Sequence, residues 1–228
     1  MSIMREFLRR PRLTGAVAPS SPTLARAMTA GLDLDRAEVV VELGPGTGAI
    51  TGEILRHLAP GARLITVELN PVLARRLAER HASSTVEVVQ GSAEDLAALV
   101  PRPVDVIVSG LPWTVMPHRR QRRILDAAVD VLGADGRFST FAYVHAAWTP
   151  PARRFTAELA ARFGVVERGG VVWPNVPPAH VHRAARPVHG APPRTTPAAG
   201  PATGPDPGSR PVTAPSSSPT GRPVEEAR

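Results

Sequence analysis

The chain has 228 residues, a length that suits one α/β domain with a sizeable core and is hardly enough for two. Its formal net charge of +7 favours an anionic partner, although all 27 basic residues are Arg, a pattern that compositional bias in a genome also produces. The chain contains no Cys, which excludes disulfides, iron–sulfur clusters and thiol catalysis, and no apolar run approaches the ~20 residues that span a bilayer.

Two helices are predicted ahead of the first core strand. The first is an amphipathic helix over Ser2–Arg10, with Phe7 and Leu8 on its apolar face and arginines around it. The second begins after a serine cap in Ser20–Ser21 and ends at Gly31, because Ser favours the N-cap and the proline that follows is tolerated in the first turn.

Strands and helices then alternate along the chain. The predicted strands are Val39–Glu42, Arg63–Glu68, Thr85–Val89, Val104–Val108, Arg137–Tyr143, Val165–Trp173 and Ala179–Arg183. The predicted helices are Ala49–His57, Pro71–His81, Pro117–Leu132 and Ala152–Phe163, with a turn at Gly133–Gly136. This order predicts an α/β fold with a mostly parallel, seven-stranded sheet and right-handed crossovers. The last two strands, joined through WPNVPP, are expected to form an antiparallel hairpin.

The chain is predicted to divide into three parts. Residues 1–35 form the helical cap, residues 36–185 form the cofactor-binding domain, and residues 186–228 form a disordered tail. The tail is rich in Pro, Ala, Ser and Gly, and it has too few large apolar residues to offset the entropy of ordering.

A glycine-rich turn follows the first core strand in the segment ELGPGTG, which contains Glu42, Gly44, Gly46 and Gly48. Glycines at alternate positions allow a tight turn and a close approach of the backbone to a ligand, and the next helix directs its free N–H groups towards that ligand. The spacing is GxGxG and not the GxGxxG of dinucleotide sites. It suits a cofactor that places an amino-acid carboxylate at the turn, as S-adenosylmethionine does.

Further cofactor contacts are predicted at the ends of the next strands. Glu68 lies 20 residues after Gly48, where an acidic side chain can accept hydrogen bonds from both ribose hydroxyls. Nicotinamide enzymes use the same device, but the combination with ELGPGTG favours S-adenosylmethionine. Ser92 is a further cofactor candidate, but it stands where an acidic residue would be expected to hold the adenine amino group, so the adenine contact is assigned to the backbone near Ala93 or to Glu94 or Asp95. Ser109, at the end of the fourth strand, is a further cofactor candidate.

Four segments carry a family resemblance: FLRRPRLTGAVAPSSPTLARAM, ELGPGTGAIT, SGLPWTVMP and VWPNVPPAHVHR. Together they resemble the bacterial phosphatidylethanolamine N-methyltransferases of the phospholipid methyltransferase type, from about Phe7 to Arg183. The wider group is similar to the rRNA adenine dimethylases. The resemblance implies a Rossmann-like class I methyltransferase fold, S-adenosylmethionine as methyl donor and a phospholipid amino head group as acceptor. No metal is expected.

The segment SGLPW separates this chain from the rRNA enzymes, whose corresponding motif reads N-L-P-[FYW]. An Asn side-chain oxygen there can accept a hydrogen bond from the target nitrogen, whereas Gly110 cannot, and Ser109 compensates only in part. A Pro-rich tail also stands where the rRNA enzymes carry an RNA-binding domain. Nucleic acid is therefore not the expected partner. Methylation of an rRNA adenine, or of a small molecule at N or O, stays open as an alternative.

The acceptor side is predicted to use Trp113, Tyr143 and Ser109. An aromatic face stabilises a methylated ammonium by ~0.5–2 kcal/mol, which favours Trp113 and Tyr143 near the acceptor nitrogen. The side chains of His118, His145 and Tyr143 are candidates for proton relay, although ordinary surface imidazoles are the commoner case.

Arginines indicate how the protein meets its substrate. The Arg-rich first helix is predicted to lie in an anionic membrane surface, where each Arg contributes ~1 kcal/mol. The protein is accordingly expected in the cytoplasm, peripherally attached to membrane. A second cluster begins the helix after SGLPW, where the macrodipole disfavours cations, so that either an anionic partner or a solvated face explains it. That cluster comprises Arg119, Arg120, Arg122 and Arg123.

Overall fold

The computed structural model describes residues 20–82 and 85–190 of the chain. The strands in this part are β1 (Val39–Leu43), β2 (Arg63–Glu68), β3 (Val86–Gln90), β4 (Val104–Ser109), β5 (Leu132–Tyr143), β6 (Phe163–Val172) and β7 (Ala179–Pro187). The α-helices are α1 (Pro22–Thr29), α2 (Ala49–His57), α3 (Pro71–Arg80), α4 (Leu96–Leu99), α5 (His118–Val131) and α6 (Pro150–Ala160). Short 3₁₀ helices cover Ala93–Asp95, Trp113–Val115 and Val144–Ala146.

The seven strands of the described residues form one sheet in the order β3-β2-β1-β4-β5-β7-β6. The first five strands pair in parallel, and β7 pairs antiparallel with both β5 and β6. The predicted Rossmann-like fold and its terminal antiparallel hairpin are therefore confirmed. Because the parallel strands all run the same way, their carboxyl ends meet at one edge of the sheet, here called the carboxyl edge.

Alternation along the strands supplies two hydrophobic layers. Successive side chains of a strand point to opposite faces, so that Val40 packs into one apolar cluster and Val41 into the other. The first cluster joins Val41 to α5 and α6 through Leu125 and Phe155, and the second joins Val40 to α1 through Met28. The sheet is thus covered by helices on both faces, as a parallel sheet requires.

Polar side chains cap the helices where the sequence indicates. Ser21 accepts a hydrogen bond from the backbone N–H of Leu24 at 3.1 Å, which confirms the predicted cap of α1. Asn70 caps α3 in the same way, through its side-chain oxygen and the N–H of Val72 at 2.9 Å. Both of these helices, α1 and α3, have Pro in the first turn, where the missing N–H leaves no hydrogen bond unmade.

Several predicted boundaries are wrong. The last helix, predicted over Ala152–Phe163, spans Pro150–Ala160, and β6 already begins at Phe163. The turn expected at Gly133–Gly136 lies inside β5, because the pairing with β4 shifts register between Val104 and Val106 and this segment forms an irregularity in the strand. The last strand continues past the predicted end at Arg183 as far as Pro187. The predicted start of the tail at residue 186 therefore falls within a paired strand.

Some predictions lie outside the described residues. These are the amphipathic helix over Ser2–Arg10 and the disorder of the chain beyond residue 190. Within the part of the chain that is described, no helix is both long enough and apolar enough to cross a bilayer.

Candidate cofactor and acceptor site

The glycine-rich turn lies at the carboxyl edge, between β1 and α2. The backbone N–H of Gly44 donates to the carbonyl of Val67 at 2.9 Å, and the N–H of Gly110 donates to the carbonyl of Leu43 at 2.8 Å. The turn is thus bound to the end of β2 on one side and to the segment that follows β4 on the other.

The conformation of this turn explains its glycines. Gly44, Gly46 and Gly48 have φ values of +68°, +55° and +83°, a region that side chains disfavour. A Cβ on Gly44 would lie 2.9 Å from Leu111 Cδ2, and one on Gly48 would lie 2.9 Å from Leu77 Cδ1. The turn therefore keeps its path only with glycine, and it leaves a side-chain-free surface of backbone at the start of α2.

The carboxylate of Glu68 faces this turn. Its Oε2 accepts from the N–H of Gly46 at 3.2 Å, and its Oε1 accepts from the N–H of Asn70 at 2.9 Å. Burial raises the pKa of Glu68, and hydrogen bonds from the backbone of Asn70 and Gly46 oppose that effect. The carboxylate is thus fixed beside the glycine turn, as the prediction for a ribose contact requires.

Glu42 lies behind the turn. Its side chain is fully buried, and Oε2 accepts a hydrogen bond of 2.6 Å from the hydroxyl of Thr51 in α2. Burial raises the pKa of Glu42 to about 8, so the side chain is protonated at neutral pH. Its Oε1 is buried with no hydrogen-bond partner. The structure therefore places Glu42 as a support that joins β1 to α2, while a direct contact with the cofactor stays a prediction.

The turn after β3 reaches the same edge. The N–H of Gly91 donates to the carbonyl of Glu68 at 3.0 Å, and Ser92 Oγ accepts from the N–H of Glu94 at 3.2 Å. Ser92 therefore follows a residue that is bonded to the end of β2, and its contact with the cofactor stays a prediction. The side chain of Ala93 is buried in the core, which leaves its backbone for such a contact.

Ser109 and Gly110 form a tight crossing with the glycine turn. The side chain of Ser109 is fully buried, and its Oγ accepts from the N–H of Leu111 at 3.4 Å. The Ser109 hydroxyl thus stabilises the backbone turn after β4. It is buried and not exposed to an acceptor, contrary to the prediction. A Cβ on Gly110 would lie 2.8 Å from the carbonyl oxygen of Gly44. Sequence reasoning identified Gly110 by the Asn it replaces and missed this contact.

The predicted role of Trp113 near the acceptor is wrong. The side chain is 1% exposed, its Nε1 donates to Thr140 Oγ1 at 2.8 Å, and its ring stacks on Phe155 with centroids 4.8 Å apart. Both its polar and its apolar atoms are therefore committed to the core, and no acceptor can reach them.

For Tyr143, a place near the acceptor stays a prediction. It is half-buried at the end of β5, it stacks on His145 with centroids 5.6 Å apart, and it meets Phe141 edge-on at 5.3 Å. Burial raises the pKa of Tyr143, so its hydroxyl stays protonated. The Nε2 atom of His118, the third relay candidate, instead lies within hydrogen-bond distance of Glu158 Oε1 in α6, at 2.8 Å.

The arginine cluster of α5 is largely neutralised by acidic side chains. Arg120 and Arg123 lie 2.9 Å and 3.1 Å from the carboxylate of Glu94, and Arg122 lies 3.9 Å from that of Glu158. The reading of these three as unpaired cations is therefore wrong. The carboxylate of Glu94 is likewise engaged by α5.

Comparison with known proteins assigns the family. The family model described as "Methyltransferase domain" matches residues 40–136. An ornithine lipid N-methyltransferase of Singulisphaera acidiphila is 34% identical over 163 residues, which cover 69% of this chain and 85% of that protein. The chain belongs to the family of S-adenosylmethionine-dependent methyltransferases.

Two further relatives frame this assignment. A ribosomal RNA small subunit methyltransferase A of Kineococcus radiotolerans is 38% identical over 88 residues, and the match spans 36% of this chain and only 28% of that enzyme. Among solved structures, an O-methyltransferase of Bacillus cereus in complex with SAH aligns with a TM-score of 0.58 at 18% identity, over 80% of this chain and 90% of that one. The likeness to that structure shows the methyltransferase fold.

The residues of this methyltransferase fit its cofactor, S-adenosylmethionine. The glycine turn presents bare backbone at positive φ, and Glu68 holds two carboxylate oxygens beside it. When bound, the cofactor supplies a methyl group on a sulfonium, which a nucleophile takes by displacement. Gly44, Gly46, Gly48 and Glu68 would hold it, with Ser92 beside them. The protein aligns the two reactants and excludes water from them.

Sequence reasoning missed two contributors to the site. Asn70 fixes Glu68 through its backbone N–H and also caps α3, and the Asn-Pro pair at the start of that helix is the signal that could have found it. Arg80, at the end of α3, donates to the carbonyl of Thr47 in the glycine turn. No local pattern indicates that contact, because 33 residues separate its partners.

Proposed function

We propose that this methyltransferase transfers methyl groups to the amino nitrogen of a lipid head group at a membrane surface, with phosphatidylethanolamine as the leading substrate. The observation that carries the proposal is the relative named ornithine lipid N-methyltransferase, which is matched over 85% of its length. The two lipids share an amine held at the water–lipid boundary.

The acceptor edge supports an amine substrate. In this proposal the ring of Tyr143 contacts the methylated ammonium as it forms, a contact that would contribute about 0.5–2 kcal/mol. Its protonated hydroxyl has an oxygen that can accept a hydrogen bond from the amine, which orients the nitrogen lone pair. Water-poor surroundings help the amine to lose its proton before it attacks.

The geometry at Gly110 disfavours adenine as acceptor. An Asn at this position would bring its Cβ to 2.8 Å from the carbonyl oxygen of Gly44, so the side chain that would orient an adenine amine cannot be added without moving the cofactor turn. The match to the rRNA methyltransferase also covers little more than a quarter of that enzyme, at 28%.

Transfer of a labelled methyl group tests the proposal. Full-length protein is incubated with labelled S-adenosylmethionine and, in parallel, with phosphatidylethanolamine vesicles, ornithine-lipid vesicles, ribosomal RNA and an aqueous metabolite extract. We expect label in a lipid amine. Label confined to RNA or to a water-soluble product would contradict the proposal and would support one of the two alternatives.

The membrane contact is proposed to include the arginines of the first predicted helix. A variant that replaces Arg5, Arg9 and Arg10 with Gln should lose the rise in activity that anionic lipid produces. Activity measured against the fraction of anionic lipid and against salt provides the check, since interfacial cations act through a screened potential. Equal responses in the variant and the natural chain would exclude this role.

A further inference from the structure

We propose that the loops around the active site form a membrane-docking surface made of Val115, Trp148, Trp173 and Val176, flanked by Arg119 and Arg153, whose partner is an anionic lipid interface. The inference rests on the proposed lipid function and identifies the part of the folded domain that meets the bilayer. The name docking surface is used below for these six residues.

The apolar members of the docking surface are the large hydrophobic side chains that the described residues leave most open to water. Trp148 is 81% exposed, Val176 is 77%, Val115 is 76% and Trp173 is 69%. Large apolar groups gathered on one side of a soluble domain mark a site of protein or membrane contact. Tryptophan prefers the boundary between water and lipid, because its ring is apolar and its N–H needs a polar partner.

Strand register places all four residues at the carboxyl edge. Val115 follows β4 and Trp148 follows β5, so both come after the carboxyl ends of parallel strands. Tyr143 at the end of β5 pairs with Ala179 at the start of β7, and Ala179 pairs with Val172 at the end of β6. The β6–β7 turn, which contains Trp173 and Val176, therefore lies at the same edge as the glycine turn.

The hairpin turn is held in place by a buried amide. Asn175 is buried, its side-chain N–H donates to the carbonyl of Pro177 at 2.6 Å, and its Oδ1 accepts from the N–H of Ser21 at 3.0 Å. These bonds fix the turn with Val176 directed outward. They also place the backbone of Ser21, near the start of the described residues, next to the β6–β7 turn.

The two arginines that flank the docking surface favour an anionic partner. Arg119 and Arg153 lie in the first turns of α5 and α6, where the helix dipole disfavours cations. Among the described residues neither has an acidic partner, in contrast to Arg120, Arg122 and Arg123. Arg153 donates instead to the backbone carbonyl of Trp148 at 3.1 Å, which holds a cation on the loop that carries this exposed tryptophan. Anionic lipid would supply the missing charge.

Intrinsic fluorescence tests the docking surface directly, because the chain has three tryptophans and the third, Trp113, is buried. Full-length protein is titrated with vesicles of phosphatidylcholine alone and with vesicles that contain phosphatidylglycerol. With brominated acyl chains we expect strong quenching on the anionic vesicles. Replacing Trp148 with Phe and, separately, Trp173 with Phe should each remove part of that quenching. Unquenched tryptophans on bound protein would overturn the proposal.

Substitutions at matched valines give a control within the same chain. Val176 and Val188 are both exposed, but Val188 follows the carboxyl end of antiparallel β7 and lies at the opposite edge of the sheet. Val176→Ser combined with Trp173→Ser should weaken vesicle binding at least 10-fold, whereas Val188→Ser should leave it unchanged. Equal vesicle affinity of all variants would exclude the docking surface.

The failure of docking and the failure of the lipid function are distinguishable. Vesicle binding requires no turnover, so it tests the surface whatever the methyl acceptor is. On a short-chain phosphatidylethanolamine kept below its micelle concentration, docking variants should methylate as fast as the natural chain, and on vesicles they should be slower. Sedimentation of the protein alone completes the test. A mass that falls from dimer to monomer in Trp148→Ser would identify a protein interface and overturn lipid docking.

Discussion

The two halves of the carboxyl edge are built in different ways. Around β1 and β2, the surface consists of backbone: a turn of glycines at positive φ, fixed by Glu68 and by hydrogen bonds to neighbouring strands. Around the end of β5, in the half where the methyl acceptor is expected, it consists of side chains, among them the half-buried Tyr143. The donor half therefore depends on positions that exclude side chains, whereas the acceptor half depends on which side chains are present.

The largest effect on stability is expected for a substitution in the hydrophobic core, at Trp113. Trp113→Ala removes a fully packed ring and should lower the free energy of unfolding by about 3–5 kcal/mol, because large-to-small changes in a core lose both packing and burial. Trp148→Ala is the matched control, and with 81% of its side chain exposed it should change stability by less than about 0.5 kcal/mol. Chemical denaturation followed by circular dichroism measures both. Similar stability of the two variants would contradict the core placement of Trp113.

The donor half is tested at the crossing of its two loops. Gly110→Asn places a Cβ 2.8 Å from a backbone oxygen, so the glycine turn must move and affinity for S-adenosylhomocysteine should fall about 100-fold, or about 2.7 kcal/mol. Gly170→Asn is the control, because a Cβ there meets nothing within 4 Å. Calorimetric titration of folded protein gives both affinities. Unchanged binding by Gly110→Asn would remove the steric argument made for this residue.

Behind the donor half, Glu42 is expected to make the stability of the protein depend on pH. Its pKa of about 8 in the folded protein exceeds its ordinary value of 4.5, so the contribution of Glu42 to stability is fully present below pH 4.5 and is lost as the pH rises from 4.5 through about 8. His182 has a pKa of about 4, lowered by burial from its ordinary 6.5, so its own effect raises stability between pH 4 and 6.5. The window from pH 6.5 to 8 therefore reports Glu42 without that opposition.

The substitution Glu42→Gln should flatten this window. The natural chain should lose up to about 2 kcal/mol of stability between pH 6.5 and 8, and the amide variant should not, because Gln cannot release a proton. Thermal or urea unfolding at a series of pH values measures the difference, with Glu87→Gln on the exposed face of β3 as the control. Parallel pH profiles of Glu42→Gln and the natural chain would disprove the raised pKa.

The smallest effect is expected in the acceptor half. Tyr143→Phe keeps the ring and its contacts with Phe141 and His145, and it loses only the hydroxyl. Stability and cofactor affinity should stay within experimental error, while turnover on a lipid amine should fall about 10-fold, in line with the loss of one hydrogen bond of about 1.4 kcal/mol. Initial rates over a range of lipid concentrations separate turnover from binding. A change in cofactor affinity would instead indicate that the Tyr143 hydroxyl contacts the cofactor.

The backbone of the donor half could be predicted from local sequence patterns, because its conformation depends on residues that are adjacent in the chain. Glycine spacing, the strand that precedes it and the Ser cap of α1 follow from the conformations that a few adjacent residues can adopt. Trp113 could not be placed in this way, since its stacking partner Phe155 lies 42 residues further along the chain. The same is true of Arg120 and Arg123, which appear unpaired in sequence until the fold brings Glu94 to them.

The irregularity in β5 is a further case of tertiary context deciding a local outcome. A glycine at each end of Gly133–Gly136 is typical of a turn, and in isolation the prediction is reasonable. Here β4 continues alongside and supplies hydrogen bonds on both sides of the segment, at Leu132 and again at Arg137. The segment is therefore absorbed into the strand as an irregular stretch.

The contact between Gly44 and Gly110 restricts how such an enzyme can change its substrate. A Cβ on Gly110 would lie 2.8 Å from the carbonyl oxygen of Gly44, and a Cβ on Gly44 would lie 2.9 Å from Leu111 Cδ2, so a side chain added to either loop at this point disturbs the other loop. Variation compatible with catalysis must therefore accumulate beyond the crossing, in the segments after Leu111 and after Tyr143. A designer who wishes to redirect the methyl group to a new nucleophile should leave the two glycines alone and graft new loops onto the strand ends beyond them.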